Sequence, residues 1–238
     1  MSGPTALELL WGDTQRPRRG PKPSLSLERI VAAAIELADA EGLANLSMQR
    51  LAEKLGCAKM ALYRYVPGKA ELIALMIDTA MGPPPELDKV AADPGEQPWR
   101  TRLRLWTIEL YRSIARHPWT LEVAIGARPF GPNEIGWSEV AVGALIDTGL
   151  IGPERLDAVV LLTGHARNLA QQAAHANSGN LESELAEQMY AALADRTEQY
   201  PHMIAAFAEP GPPGSQNNAL HWGIDRILDG LAAHAAER

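Results

Sequence analysis

A single cysteine, Cys57, stands in the 238-residue chain, so no internal disulfide can staple it and a reducing compartment suits it. No stretch reaches the roughly 18 uninterrupted apolar residues that a membrane helix needs, and the N-terminus carries no apolar signal core. The expectation is a soluble, cytoplasmic protein with no membrane partner. Alternation of apolar and polar residues with period two is almost missing, which excludes sheet as the main architecture. The spacings that announce chemistry are missing too. The six histidines are scattered, and there is no His-Glu-x-x-His, no pair of Cys-x-x-Cys, no glycine-rich phosphate loop and no Gly-x-Ser-x-Gly elbow. No catalytic residue, metal ligand or cofactor is expected, and the chain is not read as an enzyme.

What is present is unevenly placed. The formal charge is −7, yet Thr14 to Ala70 holds 10 Lys or Arg against 5 Asp or Glu, a net +5, whereas residues 71–238 hold 12 against 22, a net −10. Only the first part offers a nucleic-acid surface. Within it, residues 47–71 read as two short helices joined by a tight turn. Met48, Leu51, Ala52 and Leu55 fall at i, i+3, i+4 and i+7, one apolar stripe, and Gly56 supplies the backbone freedom that ends it. The next segment, Lys59 to Tyr65, turns Leu62 and Val66 to the core and leaves Lys59, Met60, Tyr63, Arg64 and Tyr65 on other faces. That decoration suits a major groove. Ser26 to Glu41, apolar at Ile30, Ala34, Leu37 and Ala38, is the supporting helix. Lys69 to about Met81 is a linking helix, stopped by Gly82-Pro83-Pro84-Pro85.

Residues 1–23, rich in Pro, Gly and Arg, read as a mobile basic arm. In it Arg16, Arg18, Arg19 and Lys22 either lie along phosphates or in a minor groove once DNA is present, or form a merely solvated tail. The organisation expected is an arm at 1–23, a DNA-binding domain with its linking helix at 24–81, and a larger helical domain at 82–238. That last part shows amphipathic stretches at Pro98 to His117, Ile135 to Asp147, Pro153 to Asn177, Leu181 to Ala208 and Ala219 to Ala235, so the whole chain is all-α. Trp106, Trp119, Phe130 and Trp137 are the aromatics expected to wall an apolar cavity for a small molecule, with plain core packing as the competing role of each. His165, Asn168 and Gln172, at i, i+3 and i+7, share a helix face turned to the pocket, to a dimer partner or to water. Cys57, in the turn between the two short helices, reads as a small packed residue rather than a redox sensor.

Leu-Ala-Glu-Lys-Leu-Gly at 51–56, followed by Ala-Leu-Tyr-Arg-Tyr-Val-Pro-Gly-Lys-Ala-Glu-Leu at 61–72, resembles the tetracycline-repressor (TetR-type) family of bacterial regulators over roughly residues 26–80. Arg-His-Pro-Trp at 116–119, Gly-Pro-Asn at 131–133, Tyr-Pro-His at 200–202 and Gly-Ile-Asp-Arg-Ile-Leu-Asp-Gly at 223–230 resemble the ligand-binding half of the tetracycline-repressor branch. The resemblance implies a helix-turn-helix in which Ser47 caps a helix and touches phosphate. It places Gln49 and Lys59 where side chains reach bases, and Tyr63, Tyr65 and Lys69 where they hold the DNA backbone. Met60, Ala61 and Arg64 take the remaining groove positions. It also implies a homodimer built on 153–177 and 219–235, a palindromic double-stranded DNA operator, and a small-molecule effector that releases a repressor. One departure stands out: Ala58 occupies the position where the family often opens the recognition helix with Ser or Thr. Ala58 and the acidic total motivate the alternative, an all-α small-molecule binding protein whose DNA head is vestigial.

Overall fold

Two serines set where the first long helices begin. The Ser26 and Ser47 hydroxyls accept the N–H groups of Arg29 (3.3 Å) and Arg50 (3.2 Å), filling one orphan donor at each helix start. The computed structural model describes residues 4–12, 25–123, 128–174, 181–209 and 218–236. In chain order its helices are α1 (Ala6–Trp11), α2 (Leu27–Glu41), α3 (Met48–Leu55), α4 (Lys59–Leu62), α5 (Lys69–Met81), α6 (Pro98–Arg116), α7 (Thr120–Val123), α8 (Pro132–Ala144), α9 (Gly152–Ala174), α10 (Leu181–Leu193), α11 (Pro201–Ala208) and α12 (Ala219–Ala236). The fold is all-α, and the described residues contain no strand.

Two hydrophobic clusters organise these helices. The first unites α1 to α5: Ile30, Leu51, Leu62, Val66, Leu72 and Met76 are fully buried in it. Each such side chain contributes about 1.5–3 kcal/mol relative to exposure, which is how a four-residue α4 keeps its place despite having no propensity to stand alone. The second cluster joins α6, α8, α9 and α12 around Leu103, Trp106, Leu145, Leu162 and Ile224. α5 belongs to the first cluster but packs against α8 and α6 of the second, so one rigid rod joins the two units.

Three expectations are corrected. The mobile arm read over residues 1–23 does not extend to Ala6–Trp11, which is helical. A reciprocal capping box opens it, with the Glu8 N–H donating to the Thr5 hydroxyl (3.2 Å) and the Thr5 N–H to the Glu8 carboxylate (2.7 Å). Leu10 anchors this helix in the first cluster, against α5. The amphipathic stretch expected from Leu181 to Ala208 is two helices, α10 and α11, the second opening on Pro201, which lacks an N–H and suits the first helical position. The recognition helix stops at Leu62, and Tyr63 to Tyr65 form a turn. The loop expected over Glu209 to Asn218 lies, save its two ends, outside the described residues.

Candidate DNA-reading face and effector cavity

The tight turn between α3 and α4 follows from Gly56, which sits in the left-handed region at φ 64°, ψ 36°. A side chain there would be strained, and glycine avoids the penalty. The Cys57 N–H then reaches back to the Ala52 carbonyl (3.0 Å) and the Gly56 N–H to Glu53 (3.1 Å), a Schellman ending that satisfies the last carbonyls of α3. Cys57 is half-buried against the first cluster. α4 begins without a side-chain cap, as Ala58 leads one to expect.

On this frame Gln49, Lys59, Met60, Arg64 and Lys69 are exposed, Met60 at 72%. Ser47, Ala61, Tyr63 and Tyr65 are half-buried. The Lys59 ammonium lies 5.9 Å from the Tyr63 ring centroid, a cation–π pair that orients both. The Gln49 amide donates to Glu53 (2.8 Å), so reaching a base means leaving that partner. The Tyr65 hydroxyl is committed inward, donating to the Leu25 carbonyl (2.9 Å), and a phosphate contact from it would cost that bond. The Ser47 hydroxyl, by contrast, accepts the Arg50 N–H as the α3 cap, which leaves its O–H to donate to a phosphate. Arg16, Arg18 and Arg19 lie outside the described residues.

The second unit encloses a cavity of about 200 Å³, lined by segments far apart in sequence. Ile77, Ala80 and Met81 come from α5, Trp106, Leu110 and Ser113 from α6, Glu134, Trp137 and Ser138 from α8, and Thr163 and Arg167 from α9; His117, Arg128 and Phe130 complete the wall. The aromatic walls are fixed by their own polar tips. The Trp106 indole donates to the Trp137 carbonyl (2.9 Å), and the Trp137 indole to the Gly82 carbonyl (3.0 Å) at the end of α5. Rings held this way present rigid contact surface at little entropic cost.

Of the ligand-site candidates, Trp106, Phe130 and Trp137 meet at this cavity, while Trp119, His165, Asn168 and Gln172 do not line it. Trp119 is buried in the first cluster with its indole donating to Asp39 of α2 (2.7 Å). The His165 ring donates to the Leu220 carbonyl (3.0 Å) where α12 crosses α9. Asn168 and Gln172 pair with each other (3.3 Å) on the exposed face of α9. Periodicity had identified a shared face but not which neighbour covers it.

The polar lining came unannounced. Arg128 grips Glu134 with both nitrogens (2.8 and 2.5 Å) and lies 5.1 Å from the centroid of the Phe130 ring. His117, also on the cavity wall, meets the Asp39 carboxylate (2.9 Å). Trp11 of α1 donates to the Phe130 carbonyl (2.9 Å). Asp78 of α5 is buried beside Glu134; burial raises its carboxyl pKa, opposed by N–H bonds from Glu134 and Asn133. Three elements of the head, α1, α2 and α5, thus each hold a segment of the cavity wall. Among the described residues no group of three His, Cys, Asp or Glu could hold a metal ion, and no helix is long and apolar enough to cross a membrane.

Two family models match the chain. A family model described as "Bacterial regulatory proteins, tetR family" matches residues 30–76, and "Tetracyclin repressor-like, C-terminal domain" matches residues 91–235. The chain is 37% identical over 237 residues to the HTH-type transcriptional repressor DrrR1 of Streptomyces coeruleorubidus, covering 98% of this chain and 86% of that protein. It is 30% identical to an HTH-type transcriptional regulator of Saccharopolyspora erythraea, over 90% of this chain and 87% of the other. Among solved structures, apo ActR of Streptomyces coelicolor superposes with a TM-score of 0.74 at 26% identity, covering 91% of this chain and 99% of that one. ActR in complex with actinorhodin gives 0.73, at the same identity and coverage.

Proposed function

The chain belongs to the TetR family of bacterial transcriptional regulators, and from that premise we propose that it works as a homodimeric repressor that binds a palindromic operator and is released by a small-molecule effector. The observation that carries this is α5, which starts two residues after the exposed recognition segment closes at Val66-Pro67 and ends as a wall of the cavity. A ligand that moves its C-terminal half tilts the reading head at its other end.

Dimerisation is supported by apolar side chains that a lone protomer leaves in water. Leu156, Val160 and Leu161 of α9 and Trp222 of α12 are 55–68% exposed, on the two helices where the family builds its interface. A dimer would present two recognition helices to successive major grooves, about 34–36 Å apart in helix-turn-helix dimers. Tyr63, Lys69 and Ser47 would hold phosphates, Gln49 and Lys59 would read bases, and Met60, Ala61 and Arg64 would line the groove. The arm residues Arg16, Arg18 and Arg19 would follow the backbone.

The effector would be a medium-sized, largely apolar molecule with a few polar groups, seated between Trp106, Trp137 and Phe130 with Arg128 at its polar end. That ActR is found in complex with actinorhodin supports a small-molecule effector for this chain as well. The cavity, at about 200 Å³, is smaller than the roughly 300–1,000 Å³ usual for such ligands and opens to solvent, so an effector of this kind would extend through its mouth or move a wall segment. A 100-fold loss of operator affinity requires the effector to prefer the released state by about 2.7 kcal/mol, an ordinary coupling energy. Sedimentation velocity at micromolar protein, with and without a duplex oligonucleotide, tests the assembly: dimers alone and two protomers per bound duplex are expected, and a stable monomer contradicts the proposal.

A further inference from the structure

The start of α8 is capped from another helix. Its own N-cap is Gly131, which has no side chain to offer, and its first residue, Pro132, has no N–H to satisfy. The next two donors, the N–H groups of Asn133 (2.9 Å) and Glu134 (3.1 Å), both reach Oδ1 of Asp78 on α5. The Asn133 amide donates back to the Asp78 backbone carbonyl (2.9 Å), locking side chain and main chain of α5 to the same turn. The fit leaves no slack: a Cβ at Gly131 would stand 2.2 Å from the Asp78 carboxylate, so glycine is required there for close approach. On the far side of that turn, Glu134 holds Arg128, and both line the cavity.

We propose that Asp78 is the positioning residue that transmits occupancy of the cavity to the DNA-reading head, by capping from α5 the helix that forms the cavity wall. This rests on the effector-responsive reading above and goes beyond it by naming where the coupling passes. Apolar contacts between α5 and its neighbours tolerate sliding, whereas hydrogen bonds weaken steeply with distance and angle. A shift of the first turn of α8 must therefore carry Asp78 with it or strand a carboxylate that is only 6% exposed. Of the other links from head to wall, the Trp137 indole reaches only the C-cap carbonyl of α5, at Gly82, and the contacts of Asp39 and Trp11 are nearer to water and easier to break. The Asp39 side chain is 33% exposed, and Trp11 is 52% exposed.

The test uses a tethered occupant in place of a ligand. Ser113 on α6 is 5% exposed and lines the cavity, so Ser113→Phe fills it from within. Operator affinity is measured by fluorescence anisotropy on the duplex enriched from a random pool, with and without Ser113→Phe in three backgrounds: unchanged, Asp78→Ala and Asp78→Asn. Ser113→Phe is expected to weaken binding at least tenfold in the otherwise unchanged protein and less than twofold when Asp78→Ala is also present. Asp78→Asn keeps an acceptor oxygen and is expected to restore an intermediate response. An undiminished effect of Ser113→Phe with Asp78→Ala overturns the assignment and leaves effector responsiveness standing; no effect in the unchanged background removes effector responsiveness and the coupling together. Hydrogen exchange on Ser113→Phe alone covers the case in which Asp78→Ala does not fold. Faster exchange in both 131–138 and 69–81 is expected, and a change confined to 131–138 refutes transmission through Asp78.

Discussion

Replacing Ala58 with serine should stabilise the reading head, and the size of the effect follows from the geometry at the start of α4. Ala58 already has the extended backbone of an N-cap, φ −70° and ψ 137°, and its carbonyl accepts the Ala61 N–H at 2.8 Å. A serine there needs no backbone change, and the position is exposed, so its hydroxyl meets no obstruction. α4 has only four residues, and the N–H groups of its first three, Lys59, Met60 and Ala61, have no carbonyl of this helix four residues back. A serine cap in place of alanine is worth roughly 0.5–2 kcal/mol, typically about 1. One kcal/mol raises Tm by about 4–8 °C for a head that melts as its own small unit, and by about 2–4 °C for a chain of this size that melts as one. Differential scanning calorimetry of Ala58→Ser, Ala58→Thr and Ala58→Val separates hydroxyl from shape, since valine copies threonine without the donor-acceptor. Serine and threonine should rise above alanine while valine does not. A serine variant no more stable than the parent refutes the reasoning.

Val160→Glu places a carboxylate on an α9 face that is 68% exposed in the protomer, so helical circular dichroism should persist while sedimentation shifts from dimer to monomer. The Arg104 guanidinium, aided by Thr101 and Arg100 against the opposing effect of burial, holds Glu96 at about 2 rather than its usual 4.5. A carboxylate depressed on folding stabilises above its unfolded value and loses that contribution as pH falls towards its folded one. Urea unfolding through the window from 4.5 down to about 2 should therefore show a flatter acid limb for Glu96→Gln than for the parent. Lys69→Ala and Tyr63→Ala should weaken all DNA sequences alike and lower the salt slope by about 1 per lost phosphate contact, while Gln49→Ala or Lys59→Ala should change preference at particular base pairs by about 1–3 kcal/mol; salt-dependent binding to a panel of single-base variants distinguishes the two patterns.

Features governed by chemistry within one turn of chain were legible before the structure. Ser26, Ser47, Gly56, Gly82 and Pro98 mark real helix ends, because caps and breakers act on their immediate neighbours. The Thr5-x-x-Glu8 box was equally local, but averaging the composition of residues 1–23 concealed a six-residue helix behind its Pro, Gly and Arg neighbours. The aromatic walls were readable by type. Their sorting was not: Trp119 faces the head, and His165 faces α12, because tertiary crossings rather than periodicity decide what covers a face. The contacts of Asp78 with α8 and of Asp39 with His117 join residues 55 or more positions apart, and no local pattern marks either aspartate.

The most direct measurement of the central claim is selection of bound sequences from a random DNA pool by the purified protein at near-physiological salt. The account predicts a two-fold symmetric consensus whose half-sites are spaced to place two recognition helices in successive major grooves. Recovery of an unsymmetric motif would contradict the dimeric reading, and no enrichment over the starting pool would leave a small-molecule binding protein with a vestigial head.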